Sequence, residues 1–237
     1  MKECIILAGG FGTRLQSVVK NVPKAMAEVA GKPFLEHIFN YLEKQNIGHV
    51  VLSLGYKSEY IIEWLAGQDR SFDISYVVEK EPLGTGGAIE FAFSEIRGNK
   101  AFVLNGDTFF DIDTNDLMLF HNHNRADLSI ALKPMAQFDR YGSVEMDSKD
   151  RIIRFNEKVY KEKGLINGGV YLANKDIFTK IELPEKYSFE KDVMESQLEN
   201  LMIYGYVQDT YFIDIGIPSD FEKANISDEN GIAMYDG

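Results

Sequence analysis

A glycine-rich segment followed by two cationic residues is the part of the sequence that most clearly predicts chemistry. Residues 9–14 read Gly-Gly-Phe-Gly-Thr-Arg and directly follow the apolar run of residues 4–8. Glycines after a buried strand let the backbone approach a ligand and point N–H groups at phosphate oxygens. The guanidinium of Arg14 can bind a phosphate through two N–H groups, and Lys24 adds a second positive charge ten residues later. This combination favours a site for a phosphorylated ligand over a tight turn with two solvated cations.

Other well-known catalytic and phosphate-binding motifs do not match. A Walker A loop ends in Gly-Lys-Ser or Gly-Lys-Thr, and a nucleophile elbow reads Gly-x-Ser-x-Gly; neither occurs here. A dinucleotide fingerprint needs a third glycine where Leu15 stands and a helix directly after it, whereas residues 16–31 are predicted to be irregular and contain Pro23. His121 and His123 lie two apart in a predicted helix and therefore point in different directions. We interpret them as surface residues and not as metal ligands.

Two aspartates follow apolar strand-length runs. Asp107 ends the segment Asn-Gly-Asp after residues 101–104, and Asp214 lies in the run of residues 211–215, just before Gly216. A single aspartate at such a position is most often a turn or capping residue. Two of them on opposite sides of a cleft would suit Mg²⁺, which prefers one or two carboxylates plus phosphate oxygens. The pair therefore favours a metal site.

These motifs together resemble the signature of the sugar-1-phosphate nucleotidyltransferases. The resemblance rests on residues 7–14 and on Pro-Lys-Ala-Met at residues 23–26, where the family usually has proline in place of Ala25 but the same lysine. It extends over nearly the whole chain, to about Phe221. It implies transfer of a nucleotidyl group from an NTP to a sugar 1-phosphate, which gives an NDP-sugar and pyrophosphate. It also implies Mg²⁺ as the cofactor, held by Asp107 and Asp214.

The resemblance assigns further roles residue by residue. The catalytic residues that it implies are Arg14, Lys24 and Asp107. The nucleotide-binding residues that it implies are Leu7, Ala8, Gly9, Gly10, Gly12, Thr13, Arg14, Lys24, Glu79, Gly84, Thr85, Asn105 and Gly106. The residues that it implies for the sugar phosphate are Tyr141, Gly142, Glu157, Lys158, Asn167, Gly168 and Gly169. In this scheme residues 79–87 receive the base, Lys158 binds the sugar phosphate and Glu157 binds a sugar hydroxyl.

The substrates are predicted by a narrower resemblance. Residues 81–88, residues 104–111 and the short C-terminal segment most resemble guanylyltransferases that act on D-glycero-D-manno-heptose 1-phosphate and make GDP-heptose for bacterial surface polysaccharide. Related enzymes use mannose 1-phosphate with GTP, N-acetylmuramate 1-phosphate with UTP, or glucose 1-phosphate with CTP or dTTP. A non-catalytic sensor of nucleotide sugars on the same fold is an alternative from another class. The sequence leaves these alternatives open.

The elements that must position these residues alternate between strands and helices. Predicted strands cover residues 4–8, 49–54, 74–78, 101–104 and 128–132. Between them we predict helices that begin at Pro33, after a cap at Ser58, over residues 85–96 and after a cap at Asp113. This order predicts a single-domain α/β fold with a Rossmann-like, mostly parallel mixed sheet and helices on both faces. Such sheets bind ligands beyond the carboxyl ends of their strands.

The second half of the chain is predicted to extend the same sheet and to build one wall of a cleft. Predicted strands cover residues 143–146, 152–156, 166–172, 202–207 and 211–215, and residues 189–198 are predicted to be helical. We expect a nucleotidyltransferase domain over residues 1–226 and a loose polar tail over residues 227–237.

Composition restricts the partners. The 237 residues are 45% hydrophobic, and their net charge of −12 disfavours nucleic acid and anionic membranes as partners. Cys4, the single cysteine, excludes an internal disulfide and is predicted to be packed in the first strand. No apolar run approaches the roughly 18 residues of a membrane span, so a cytoplasmic protein is expected. The predicted partners are small-molecule substrates, with homo-oligomerisation left open.

Overall fold

A nine-stranded sheet forms the centre of the computed structural model, which describes residues 1–10 and 22–226. The strands, in chain order, are β1 (Lys2–Leu7), β2 (Glu28–Val29), β3 (Lys32–Pro33), β4 (Ile47–Leu54), β5 (Asp73–Val78), β6 (Lys100–Asn105), β7 (Thr108–Phe110), β8 (Leu128–Phe138), β9 (Ser143–Met146), β10 (Ile152–Phe155), β11 (Lys161–Asn174), β12 (Ile203–Val207) and β13 (Phe212–Asp214). The helices are α1 (Phe34–Lys44), α2 (Ser58–Leu65), α3 (Gly84–Ala92), α4 (Thr114–Asn124), α5 (Ile177–Lys180) and α6 (Pro218–Ile226). Lys24–Met26 forms a short 3₁₀ helix and Phe189–Glu195 a π-helical segment.

The sheet has a parallel half and a mixed half. Its main order is β10-β9-β11-β6-β1-β4-β5, and β8 pairs with both β11 and β12. Strand β1 is parallel to β4 and β6, and β4 is parallel to β5. Strand β11 runs antiparallel to β6 and joins the second half of the chain to the first. The predicted mostly parallel mixed sheet, extended by the second half, is confirmed.

Two apolar cores lie on the opposite faces of this sheet. Successive side chains of a strand point to opposite faces, and in β1 Cys4 and Ile6 belong to one core while Ile5 belongs to the other. Helix α1 packs its apolar stripe into the first core, and α3 contributes Ile89 and Ala92 to the second. The prediction of helices on both faces is confirmed. The prediction that Cys4 is packed is confirmed too, since its side chain is fully buried.

Some predicted boundaries change in the structure. Asp113 caps α4 as predicted, because its side chain accepts hydrogen bonds from the N–H groups of Asn115 and Asp116. The predicted cap at Ser58 is wrong: Ser58 is the first residue of α2, and Lys57 precedes it with a left-handed φ of 56° and no side-chain cap. The helix predicted over residues 85–96 begins at Gly84 and ends at Ala92. The helix predicted over residues 189–198 is a shorter π-helical segment.

Residues 16–31, predicted to be irregular, contain the 3₁₀ helix and β2 in their described part. The tail predicted over residues 227–237 lies outside the described residues, as do residues 11–21. Within the described chain, no helix is both long enough and apolar enough to cross a membrane.

His121 is buried, so the prediction that it is a surface residue is wrong. Its Nδ1 lies 2.9 Å from Ser129 Oγ in β8, and its Nε2 lies 3.1 Å from Asn174 Oδ1 at the end of β11. Burial lowers the pKa of the imidazole to about 4, and the hydrogen bond that Nε2–H donates to Asn174 Oδ1 opposes this only in part. A neutral His121 therefore ties α4 to the sheet. His123, two residues on, is exposed as predicted.

We predict that His121 makes the protein sensitive to acid. The pKa of about 4 in the folded state lies below the ordinary value near 6.5 of an unfolded chain, so stability falls as the pH drops from about 6.5 to 4. The loss amounts to about 3 kcal/mol of unfolding free energy. Urea unfolding at pH 7 and pH 4 measures this loss of unfolding free energy. The loss should be absent in His121→Gln and retained in the exposed control His123→Gln. An equal pH dependence in the wild type and His121→Gln would contradict the prediction.

Candidate functional site

The carboxyl ends of the parallel strands meet at one edge of the sheet, where the chain can make close backbone contacts. Ala8 N–H donates to Ser53 O at 2.9 Å, and Gly106 N–H donates to Leu7 O at 2.9 Å. A Cβ on Gly9 would lie 3.1 Å from the backbone nitrogen of Gly55, which is tighter than ordinary contact. The glycines after β1 and β6 therefore bring the three strand ends together at the predicted ligand-binding edge.

A small pocket of about 190 Å³ opens at this edge. Its lining is Leu7, Gly9, Gly10, Ser53, Glu79, Pro82, Gly84, Thr85 and Ala88. One oxygen of Glu79, Oε2, accepts the N–H of Leu83 at 2.9 Å, which fixes the orientation of the carboxylate. Gly84 has a φ of +79°, and a Cβ there would collide with Tyr187 O, so this turn requires glycine. The structure thus gathers six residues predicted to bind the nucleotide: Leu7, Gly9, Gly10, Glu79, Gly84 and Thr85.

A larger cleft of about 480 Å³ lies on the β11 side of the same edge. Its lining is Asn105, Thr108, Arg140, Tyr141, Lys158, Asn167, Gly168, Gly169, Tyr171, Glu190, Phe212, Asp214 and Ile217. Asn167 Oδ1 accepts the N–H of Gly169 at 2.9 Å, and Asn167 Nδ2 donates to Tyr171 Oη at 3.0 Å. Most residues predicted for the sugar phosphate therefore come together in one cleft.

Two residues predicted for the sugar phosphate are not part of that lining. Glu157 is exposed next to Lys158, and Gly142 lies where a Cβ would be 2.6 Å from Asn156 O. Gly142 thus permits close packing of the chain before β9 against the end of β10. Gly142 therefore allows the backbone next to the cleft to pack closely and does not itself line the cleft.

Lys24, Asp107 and Asp214 converge at the border of the cleft, whose lining includes Asp214. Lys24 Nζ forms an ion pair with Asp107 Oδ2, and Ile215 N–H donates to Asp107 O at 3.0 Å. A Cβ on Gly216 would lie 2.5 Å from Lys24 Nζ and 2.6 Å from Asp214 Oδ1. The lysine and both aspartates are therefore close neighbours, although they come from three distant parts of the chain.

Tyr141 forms a wall of the cleft beside Asp214. Its hydroxyl lies near the carboxylate of Asp214, and its ring meets that of Phe212 edge-on with centroids 6.2 Å apart. Burial, followed by the charge of Asp214, raises the pKa of the phenol well above its usual value. Tyr141 therefore stays protonated and adds no negative charge beside Asp214.

Several cleft residues were missed by the sequence analysis. Glu190 accepts hydrogen bonds from Thr85 Oγ1 at 2.7 Å and Ser188 Oγ at 2.9 Å, so it connects the cleft to the small pocket that Thr85 lines. No motif marks Glu190, because it lies in the π-helical segment about 100 residues from Thr85. Arg140 directly precedes the predicted Tyr141, and this adjacency was an available signal.

The remaining predicted residues are placed only in part. Ala8 and Gly106 lie in the backbone contacts between the ends of β1, β4 and β6. Gly12, Thr13 and Arg14 lie outside the described residues. Among the described residues, no group of three or more His, Cys, Asp or Glu side chains is arranged to hold a metal ion. The two aspartates alone fit Mg²⁺, because this ion takes one or two carboxylates and completes its shell with phosphate and water oxygens.

A mixed α/β sheet with a small pocket and a larger polar cleft along its carboxyl edge is the arrangement of an enzyme that binds two small ligands side by side. The chain belongs to the nucleotidyl transferase family, whose family model matches residues 3–231. It is 50% identical over 219 residues to a D-glycero-alpha-D-manno-heptose 1-phosphate guanylyltransferase of Campylobacter jejuni, an alignment that covers 92% of this chain and 96% of the relative. A protein of the same name from Aneurinibacillus thermoaerophilus is 49% identical over 222 residues, with 94% and 96% covered.

Solved structures agree with this relationship. The crystal structure of HddC from Yersinia pseudotuberculosis matches with a TM-score of 0.87 and 38% identity, and the match covers 95% of this chain and 99% of that one. HddC complexed with GMP-PN matches with a TM-score of 0.85, 37% identity and the same coverage. The predicted resemblance to the sugar-1-phosphate nucleotidyltransferases, and within them to the heptose 1-phosphate guanylyltransferases, is confirmed.

We predict that Gly216→Ala impairs nucleotidyl transfer without unfolding the protein. The new methyl group would displace Lys24 Nζ and the Asp214 carboxylate, which are flexible side-chain ends, so the backbone need not move. Displacing charges that are aimed at a reacting phosphate typically costs about 10²-fold in turnover. Turnover and the melting temperature should be measured together, with the exposed Gly67→Ala as the control. A Gly216→Ala enzyme with wild-type turnover would argue against the convergence of these groups.

Proposed function

We propose that this chain transfers the guanylyl group of GTP to D-glycero-α-D-manno-heptose 1-phosphate and releases GDP-heptose and pyrophosphate. The observation that carries the proposal is the arrangement of the small pocket, the cleft and the Lys24–Asp107–Asp214 group along one edge of the sheet. The named relatives that align over nearly their whole length support the choice of both substrates.

The reaction needs positioning and charge neutralisation more than proton transfer. An oxygen of the sugar phosphate attacks the α-phosphorus of GTP, the new P–O bond forms, and the bond to pyrophosphate breaks. The second pKa of a phosphomonoester is about 6, so the attacking oxygen is already ionised at neutral pH and no general base is required. The protein must instead overcome the repulsion between two anions and hold them in line. Lys24 supplies a positive charge next to Asp107 and Asp214 at the border of the cleft, and Arg14 is proposed to supply another.

The metal site in this proposal consists of Asp107 and Asp214. Mg²⁺ bound there would neutralise charge on the phosphates. The protonated Tyr141 lies near Asp214, and Lys24 is paired with Asp107. In the resting site the lysine partly compensates the two negative charges, which allows acidic groups to stay close together in a protein with a net charge of −12.

Guanine recognition is proposed to depend on Glu79. The Watson–Crick edge of guanine carries two N–H donor groups, and a carboxylate is the side chain that only accepts. Because Oε2 of Glu79 is already bonded to Leu83 N–H, the other oxygen is the one available to the base. This oxygen faces Gly9, which lines the same pocket. The fixed carboxylate therefore favours guanine over bases that present an acceptor at this edge.

The cleft is proposed to hold the sugar phosphate. Lys158 would bind the phosphate, while Asn167, Gly168 and Gly169 would line the pyranose ring. Glu157 is exposed in the structure and would have to turn inward to bind a sugar hydroxyl. The cytoplasmic location remains a prediction.

The proposal is tested by a matrix of NTPs against sugar 1-phosphates, with pyrophosphate release as the measurement. We expect GTP with D-glycero-D-manno-heptose 1-phosphate to give the highest kcat/KM, and mannose 1-phosphate to be a poor but detectable substrate because the two sugars share the ring. Turnover should vanish when EDTA removes Mg²⁺. A wrong base leaves polar groups of the site unpaired, which can cost about 10⁴-fold. If UTP or CTP exceeded GTP with every sugar, the guanylyl assignment would be wrong.

We predict that Glu79→Gln lowers kcat/KM for GTP by about 10²-fold. The amide oxygen would keep the hydrogen bond to Leu83 N–H, which turns the NH₂ group toward the donor groups of guanine. The matched control is Glu81→Gln, because Glu81 is exposed in the same loop and is not part of the pocket lining. Equal kcat/KM values for the two variants would exclude Glu79 from base recognition.

A further inference from the structure

Arg140 is a cationic residue of the cleft to which the predicted signature assigns no role. It lies in the loop between β8 and β9 and contributes to the lining of the cleft together with Lys158. These two are the cations of that lining among the described residues, and they face the carboxylates of Asp214 and Glu190. A dianionic phosphate entering a cleft with two carboxylates needs more than one positive charge nearby.

The guanidinium of Arg140 is held in place by a long-range ion pair. Its Nη2 donates to Asp220 Oδ2 at 2.9 Å, and Asp220 lies in α6, eighty residues further along the chain. The Asp220 carboxylate is nearly buried, with 10% of its side chain exposed, and it also accepts from Lys223 Nζ at 2.9 Å. Arg140 is thereby anchored to the helix that follows Asp214.

The guanidinium of Arg140 also lies close to an aromatic ring. The Cζ atom of Arg140 lies 5.8 Å from the ring centroid of Tyr141, which lines the same cleft. The hydrogen bond to Asp220 uses one of the five N–H donors of the guanidinium. About half of the Arg140 side chain, 46%, is exposed. The anchored cation therefore has donors left for an anion in the cleft, and it loses little conformational entropy when it binds one.

We propose that Arg140 binds the phosphate of the incoming sugar 1-phosphate, together with Lys158. The inference rests on the proposed function and adds a residue to it. Arg140 lines the cleft with Lys158 and Asn167, whereas the small pocket proposed for the base has no contact with it. The guanidinium can donate two parallel hydrogen bonds to two phosphate oxygens, whereas the ammonium group of Lys158 acts as a point charge. Arg140 thus orients the oxygen that attacks the α-phosphorus.

The test compares the two Michaelis constants of variants of the full chain. For Arg140→Gln we expect the KM for heptose 1-phosphate to rise about 10- to 100-fold and the KM for GTP to change less than about threefold. The KM of Arg140→Lys for heptose 1-phosphate should lie between those of Arg140→Gln and the wild type, because lysine keeps the charge but cannot form the bidentate hydrogen bond. The control is Lys223→Ala, which removes the other partner of Asp220 and lies outside the cleft lining, so both constants should stay near wild type.

Two results would overturn the inference. One is an unchanged KM for heptose 1-phosphate in Arg140→Gln. The other is an equal rise in both constants, which would indicate a structural role or a contact to the GTP phosphates. If Arg140→Gln does not fold, Arg140→Lys provides the test. A KM for heptose 1-phosphate equal to that of the wild type would show that the guanidinium makes no bidentate contact with the phosphate.

A binding measurement separates this inference from the proposed function. Titration with inorganic phosphate, followed calorimetrically, needs no turnover. We expect weaker binding to Arg140→Gln than to the wild type and to Lys223→Ala. If the wild type releases no pyrophosphate with any pair of substrates, the proposed function fails, while the phosphate titration still decides whether Arg140 binds an anion. Identical phosphate binding by all three proteins would exclude the Arg140 site.

Discussion

The close approach of three parallel strand ends is the constraint on which the rest of this site depends. Hydrogen bonds from Ala8 to Ser53 and from Gly106 to Leu7 fix the backbone after β1 and β6 against its neighbours. A Cβ on Gly106 would lie 2.5 Å from the backbone oxygen of Leu7, so this approach is open only to a residue without a side chain. Because β1, β4 and β6 run in the same direction, their carboxyl ends bring loops that are far apart in sequence to one edge.

Charge compensation is the second organising feature. The chain carries twelve more acidic than basic charges, yet its proposed substrates are both anions. Cations are held at the site itself: Lys24 pairs with Asp107, and Arg140 pairs with Asp220 at the border of the cleft. Cations held by buried or half-buried carboxylates are already oriented before a phosphate arrives, so little reorganisation is required at the moment of reaction.

The π-helical segment Phe189–Glu195 connects the two halves of the site. It carries Glu190, which accepts from Thr85 of the small pocket and itself lines the cleft. Phe189 N–H donates to Thr85 Oγ1 at 2.9 Å, so Thr85 is held from both directions. The entrance of α3 is thus supported by a segment that also borders the cleft, and a shift of one would move the other. π-Helical turns are frequent at functional sites for this kind of local adjustment.

The sequence alone determined the mostly parallel mixed α/β sheet, the glycines directly after β1, and the positions of Asp107 and Asp214 at strand ends, because apolar runs and glycines are local signals that need no knowledge of the fold. It also indicated the family through contiguous motifs. Only the tertiary structure decided that His121 is buried, that Glu190 meets Thr85, and that Arg140 is anchored by Asp220. These contacts join residues between 8 and 105 positions apart. The physical reason is that burial and long-range ion pairs depend on how elements pack, which the pattern of a single segment does not record.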